Sequence, residues 1–380
     1  MGTDTRPVFF PILILIAIVI LILNPGPEVN ADGSSGPADQ KATRKTRALF
    51  MNLKDIAGKG ILLGHQDDLA YGVGWKDQPG RSDIKDVCGD YPALFGWDVS
   101  KLGQQPFNID SVEFEKMKNW IKQGYRRGGL ISISWHMDNP VTGGDSWDKT
   151  PAIYSILPGG EHHEEYKQKL DLFAEFLDDL KVGLWTKIPV IFRPFHEHTG
   201  NWFWWGRGNA TAEEFKTLWK FTVEYLRDER KIHHVLYAYS TDVFNSEEDY
   251  LEFYPGDEYV DIIAYDDYRN IRNSENRSEF VKRLKMLVRI AENHGKVAAL
   301  SETGLEKIPV DDWFTEVLLN GIREDVITSR ISYVLLWRNA NTGHHYAPFK
   351  GHSSESDFLK FYQDPYTLFM TDLPNMYRYP

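Results

Sequence analysis

The sequence predicts an α/β protein built as a single (β/α)8 barrel. Eight short apolar runs recur along the chain, at residues 61–65, 93–99, 129–136, 189–195, 234–240, 260–265, 297–302 and 331–338. Stretches with helical periodicity lie between them, among them 111–126, 164–181, 211–230, 278–294 and 311–329. Polar and aromatic residues gather where the runs end, not where they begin. Such a bias suits a barrel, whose chemistry sits at the C-terminal ends of its strands. A doubly wound open sheet is the alternative, but no Gly-rich phosphate turn follows the first run.

The chain opens with an apolar run from Val8 to Leu23 behind Arg6. The run is short for a membrane span and is interrupted by Pro11. Asn24-Pro25-Gly26-Pro27 then breaks it, and Val29 and Ala31 suit the flanks of a cleavage site. Residues 1–31 are therefore expected to be a secretory signal peptide cut after Ala31, with an uncleaved anchor as the alternative. Residues 32–45, rich in small and polar residues at their start, are expected to be a linker, and 46–380 the barrel domain. The expected location is outside the cell or in the periplasm, as a monomer without stable membrane association once the leader is cut.

Seven of the eight runs end in a polar or aromatic group of their own. The first ends in Gly64-His65-Gln66-Asp67-Asp68, the second in Trp97-Asp98 and the third in Trp135-His136. The fourth ends in Arg193, His196 and Glu197, and the sixth in Tyr265-Asp266-Asp267-Tyr268. The seventh ends in Ser301-Glu302-Thr303 and the eighth in Trp337-Arg338-Asn339. Two long loops, 137–163 with Trp147 and 340–354 with His344, His345 and Tyr346, are placed to shape a cleft, and His345 or Tyr346 could reach it.

Composition excludes several classes of function. A formal net charge of −12 argues against nucleic acid, whose phosphates need a basic face. Cys88 is the only cysteine, so no internal disulfide exists and core burial must supply stability. Cys88 lies in DVCGDYP without an adjacent histidine, a poor setting for a nucleophile. The His-His pairs at 162–163, 233–234 and 344–345 lack metal-ligand spacing, so no metal is expected. The 12 tryptophans exceed what packing alone requires, and flat apolar rings suit sugar faces.

The stretch PVIFRPFHEHTGNWFWWG, 189–206, passes from strand to carboxylate to aromatic cluster. Glu197 on the fourth run and Glu302 on the seventh are the natural carboxyl pair. Across a barrel mouth such groups can lie about 5–5.5 Å apart, the spacing of retaining glycosidases. One must donate a proton and the other attack as an anion, so their surroundings must differ. Tyr268 and Arg193 are candidate donors to the nucleophile. Trp204 and Trp205 suit packing and binding equally.

RPFHEHTGNWFWWG, YDDY and LSETG, in this order, resemble glycoside hydrolase family 26, whose members are mostly endo-β-1,4-mannanases. GHQDD, ISWH, the following DSW and WRNA fit the same family, and the resemblance spans residues 49–373. It implies Glu197 as acid/base and Glu302 as nucleophile, cleaving β-1,4-mannosidic bonds in mannan, galactomannan or glucomannan by double displacement, without a cofactor. It implies that His196 touches the −1 sugar and that Asp266 and Tyr268 contact that sugar and the nucleophile. His136 and Trp147 would line the glycone side, Trp202 would stack near +1, Trp337 would floor −1 and Arg338 would reach toward −2. The alternatives are a mannobiose-releasing exo-enzyme, a β-1,3-xylanase or lichenase on the same machinery, and a non-catalytic carbohydrate-binding barrel.

Overall fold

All eight apolar runs form strands, each buried on both faces as in a parallel sheet wrapped in helices. The computed structural model describes residues 1–2 and 36–380, so the leader, its apolar run and the cut after Ala31 lie outside the described residues. The strands are β1 (Ile61–Gln66), β2 (Leu94–Asp98), β3 (Leu130–Trp135) and β4 (Val190–Pro194). They continue as β5 (Val235–Thr241), β6 (Ile262–Asp267), β7 (Val297–Thr303) and β8 (Tyr333–Leu336). Neighbours in sequence pair in parallel throughout. β8 returns to β1, with Leu62 opposite Tyr333 and His65 opposite Leu336. This pairing closes the cylinder and leaves no open edge. A short ninth strand, β9 (Thr367–Leu368), was not foreseen and lies beside Ile61 and Leu62.

Helices follow the strands around the outside. They include α2 (Asp83–Cys88), α3 (Phe114–Arg127), α4 (His163–Asp179), α5 (Ala212–Glu224), α6 (Glu247–Leu251) and α7 (Arg277–Asn293). α1 (Arg44–Ile56) precedes the barrel, and α9 (Glu355–Gln363) follows β8. α5 starts on a full capping box, Thr211 with Glu214, and ends in a π-helical turn at Tyr225–Glu229. The helix expected at 311–329 is instead a π-helical segment, Trp313–Leu319, a single turn α8 (Asn320–Arg323) and a 3-10 turn at Thr328–Arg330. The segment's first amides are claimed by a distant residue: Asp357 on α9 accepts from the N–H of Phe314 and of Thr315, at 2.9 and 3.1 Å. Among the described residues no helix is long and apolar enough to cross a membrane.

Both described ends of the barrel unit meet the N-terminal ends of the strands. Ala38 N donates to Asp261, just before β6, at 2.6 Å, and Thr43 N donates to the carbonyl of His233, before β5, at 2.7 Å. At the other terminus Tyr377 donates to the carbonyl of Gly129, before β3, at 2.7 Å. The side with the polar strand ends is therefore left to the βα loops.

Candidate active site

The turn after β4 uses backbone that side chains disfavour. Phe195 (φ 48°) and Glu197 (φ 54°) are both left-handed, at about 1–2 kcal/mol each for a residue with a Cβ. Packing holds them there. Phe195 is buried edge-on against Trp204, Trp205, Phe215 and Trp219. Glu197 N donates to Ser240 O on β5 at 2.9 Å. The indole N–H groups of Trp204 and Trp205 donate to the carbonyls of Met137 and His196, both at 2.9 Å. Both tryptophans are fully buried, so their role is packing. They hold the strained turn that sends the Glu197 side chain into the cleft.

β7 carries a bulge at the matching height. Tyr265 faces Leu300, yet the next residue, Asp266, faces Glu302. The extra residue turns Glu302 toward the mouth. Tyr268 donates to Glu302 Oε1 at 2.8 Å, and Arg193 Nη2 donates to Oε2. Arg193 Nη1 donates to Asp266 Oδ2 at 2.6 Å, while Asp266 Oδ1 accepts from the hydroxyls of Ser240 and Ser301 at 3.0 and 2.8 Å. Burial pushes the Asp266 carboxyl up to about 7 despite the Arg193 charge. Both donors expected for Glu302 are thus in place. Asp266 lies behind Arg193 and off the cleft wall.

Glu197 has the opposite surroundings. Its partly exposed side chain receives one hydrogen bond, from the Trp202 indole to Oε2 at 2.7 Å. Burial, then the negative charges of Glu302, Asp266 and Asp242, lift its pKa well above the usual carboxylate range against that bond. Both glutamates line one cleft of about 560 Å³. His136, Trp147, Trp202, Tyr268 and Trp337 line it as anticipated, and Tyr346 reaches it from the last loop. His345 does not; it is buried against Phe349 and His352. Phe203, Arg272, Leu305 and Glu306 also line it and were not anticipated. A groove of similar size beside α7, lined by Arg277, Lys282, Lys285 and Arg289, has no aromatic wall.

His136 stacks on Trp147, with centroids 5.4 Å apart and planes 19° from parallel. Its Nδ1 is 2.8 Å from Asp98 Oδ2, an oxygen that also accepts from Ser134 and from the His136 amide. Burial opposes charge on this imidazole, but Asp98 outweighs it and raises the pKa. His196 is buried, off the cleft wall, with Nε2 3.2 Å from His136 Nε2. Burial and the Arg193 charge hold it neutral, with a pKa well below the usual range. Arg338 is turned to Asp110 (2.9 Å) and Tyr71 (3.4 Å), and Tyr71 donates to Asp67 at 2.7 Å. Among the described residues no cluster of His, Cys, Asp or Glu is arranged to hold a metal.

Residues 38–333 match the sequence profile of Glycosyl hydrolase family 26. This chain belongs to that family. A family 26 β-mannanase structure from Bacteroides ovatus is 44% identical, covering 88% of this chain and 98% of that one with a TM-score of 0.85. A modular endo-β-1,4-mannanase from Cellulomonas fimi is 35% identical, covering 90% and 79%, with a TM-score of 0.83. A mannan endo-1,4-β-mannosidase of Bifidobacterium adolescentis is 34% identical over 88% of this chain. The match spans 36% of that relative and 51% of one from Caldalkalibacillus mannanilyticus, so this family 26 chain covers about a third to a half of their length. The closed barrel, with its long βα loops, is the fold of these family 26 structures.

Proposed function

We propose that this chain is a retaining endo-β-1,4-mannanase, with Glu197 as acid/base and Glu302 as nucleophile. One observation carries the reading: two carboxyl groups face a single cleft with opposed surroundings. Glu302 meets a hydrogen-bond donor on each oxygen, one of them a guanidinium. Glu197 is held toward its protonated form. In the first step Glu302 bonds to the anomeric carbon while Glu197 gives its proton to the departing glycosidic oxygen. In the second, Glu197 takes a proton from water, whose oxygen displaces Glu302 and restores the original configuration. Protein side chains alone supply this chemistry.

His136 and Trp147 line the glycone side, Trp337 floors the reacting sugar and Trp202 receives the leaving sugar. His196 acts through His136, which it touches, and Asp266 acts through Arg193. Arg338, tied to Asp110, stiffens the far glycone wall. β-Mannan is the substrate that the names of the relatives support. A polymer of that size is met outside the cytoplasm, in keeping with export by the N-terminal leader. Mannan, xylan and lichenan compared by reducing-end release should show preference for mannan. Glu302→Ala should lose at least about 10⁴-fold in kcat. Near-normal mannan hydrolysis by that variant would refute the assignment.

A further inference from the structure

Beyond the glutamate pair, a chain of contacts runs from the end of β5 into the leaving-group side of the cleft. Asp242 directly follows β5, and its Oδ2 lies 2.8 Å from Arg269 Nη2. The Arg269 guanidinium lies over the Trp202 ring, 5.5 Å from its centroid. The Trp202 indole N–H donates to Glu197 Oε2 at 2.7 Å. Behind the ring stands Gly200, where an added Cβ would come within 2.4 Å of three ring carbons. Trp202 is thus the middle of a clamp, with the Arg269 cation over its face and the Glu197 carboxyl at its N–H. Arg269 is itself aimed from below: its backbone N donates to Asp267 Oδ1 at 3.0 Å.

We propose that Arg269 is a positioning residue that sets the Trp202 ring, and through its indole N–H the carboxyl of Glu197, for proton delivery to the leaving sugar. This rests on the acid/base assignment of Glu197. The side chain of Arg269 is 54% exposed and that of Asp242 9%, so the cation can be removed without opening the core. A cation over an indole face attracts the ring, and the other ionisable partner of Trp202 is Glu197 itself, at the indole N–H.

The direction of the pH effect follows from the groups facing Glu197. Glu302 on β7, Asp266 on β6 and Asp242 after β5 disfavour its charged form, while the Trp202 N–H favours it. Arg193 on β4 and Tyr268 after β6 complete its surroundings. Without Arg269 the indole bond loosens and the Asp242 charge loses its partner. Both changes keep Glu197 protonated to higher pH.

The test uses the full-length enzyme, Arg269→Ala and Arg269→Lys. The substrates are mannotetraose, whose leaving sugar needs a proton, and an aryl β-mannobioside with a good leaving group. Arg269→Ala should lower the ratio of kcat/KM on mannotetraose to that on the aryl substrate about threefold, the size that an exposed cation–indole contact supports. Its alkaline limb should move to higher pH, and Arg269→Lys should restore most of both. A ratio and a pH profile matching the parent, in an enzyme that cleaves mannan, would overturn the role of Arg269 alone. A parent enzyme inactive on mannan would instead overturn the functional reading beneath it.

Discussion

Arg193 bridges two buried carboxylates that repel each other, Asp266 and Glu302. Removing one member of a buried ion network leaves uncompensated charge, at about 3–5 kcal/mol. Arg193→Met should lose about that much stability in urea unfolding, together with its activity. Tyr268→Phe removes only the hydroxyl on Glu302 Oε1 and should lower kcat by about 10²-fold, as loss of a single well-placed donor does. On the alkaline side, kcat/KM should persist above the ordinary carboxyl range and fall as Glu197 loses its proton. A limb at the pH of an unperturbed glutamate would contradict the surroundings described for it. The two glutamates, Arg193 and Tyr268 were legible because strand-end position and side-chain chemistry together name them. Asp98 was visible at the end of β2, but nothing in the sequence said that it holds His136. Asp242 and Arg269 were silent for the same reason: their meaning lies in a partner far away along the chain.

At the level of elements, the strands could be read because burial on both faces leaves an unbroken apolar run. The 311–329 segment could not, since Asp357 on α9 decides how its first turn is bonded. The bulge in β7 was equally hidden, because SETG reads as a regular strand end until β6 is laid beside it. The glycine of that motif has a geometric reason. Gly304 has φ +147°, and an added Cβ would sit 2.6 Å from Tyr346 Cδ1. Gly304→Ala should push Tyr346 out of the cleft and raise KM on manno-oligosaccharides. A variant with parental KM would show that Tyr346 can yield at no cost. Thr211→Ala removes the cap of α5 and should cost about 1 kcal/mol in thermal or urea unfolding while leaving kcat alone.

For the molecule as a whole, buried histidines away from the cleft, His198 and His234 among them, couple folding to acid. Burial holds His198 down to about 3 and His234 to about 4. Both stay neutral in the folded chain while the unfolded chain protonates below about 6.5. Their contribution to stability is therefore complete above about pH 6.5 and is lost as pH falls toward 4. His234→Gln should lose less stability than the parent between pH 7 and 4.5, measured by urea midpoints; parallel losses would contradict the assignment.

Ala38 and Tyr377 both lie beneath the cylinder, bonded to a side chain and a backbone carbonyl that precede strands. A support or module fastened just after Tyr377 therefore starts on the face opposite the cleft. Immobilised through its C-terminal end, the enzyme should keep its mouth free for long chains.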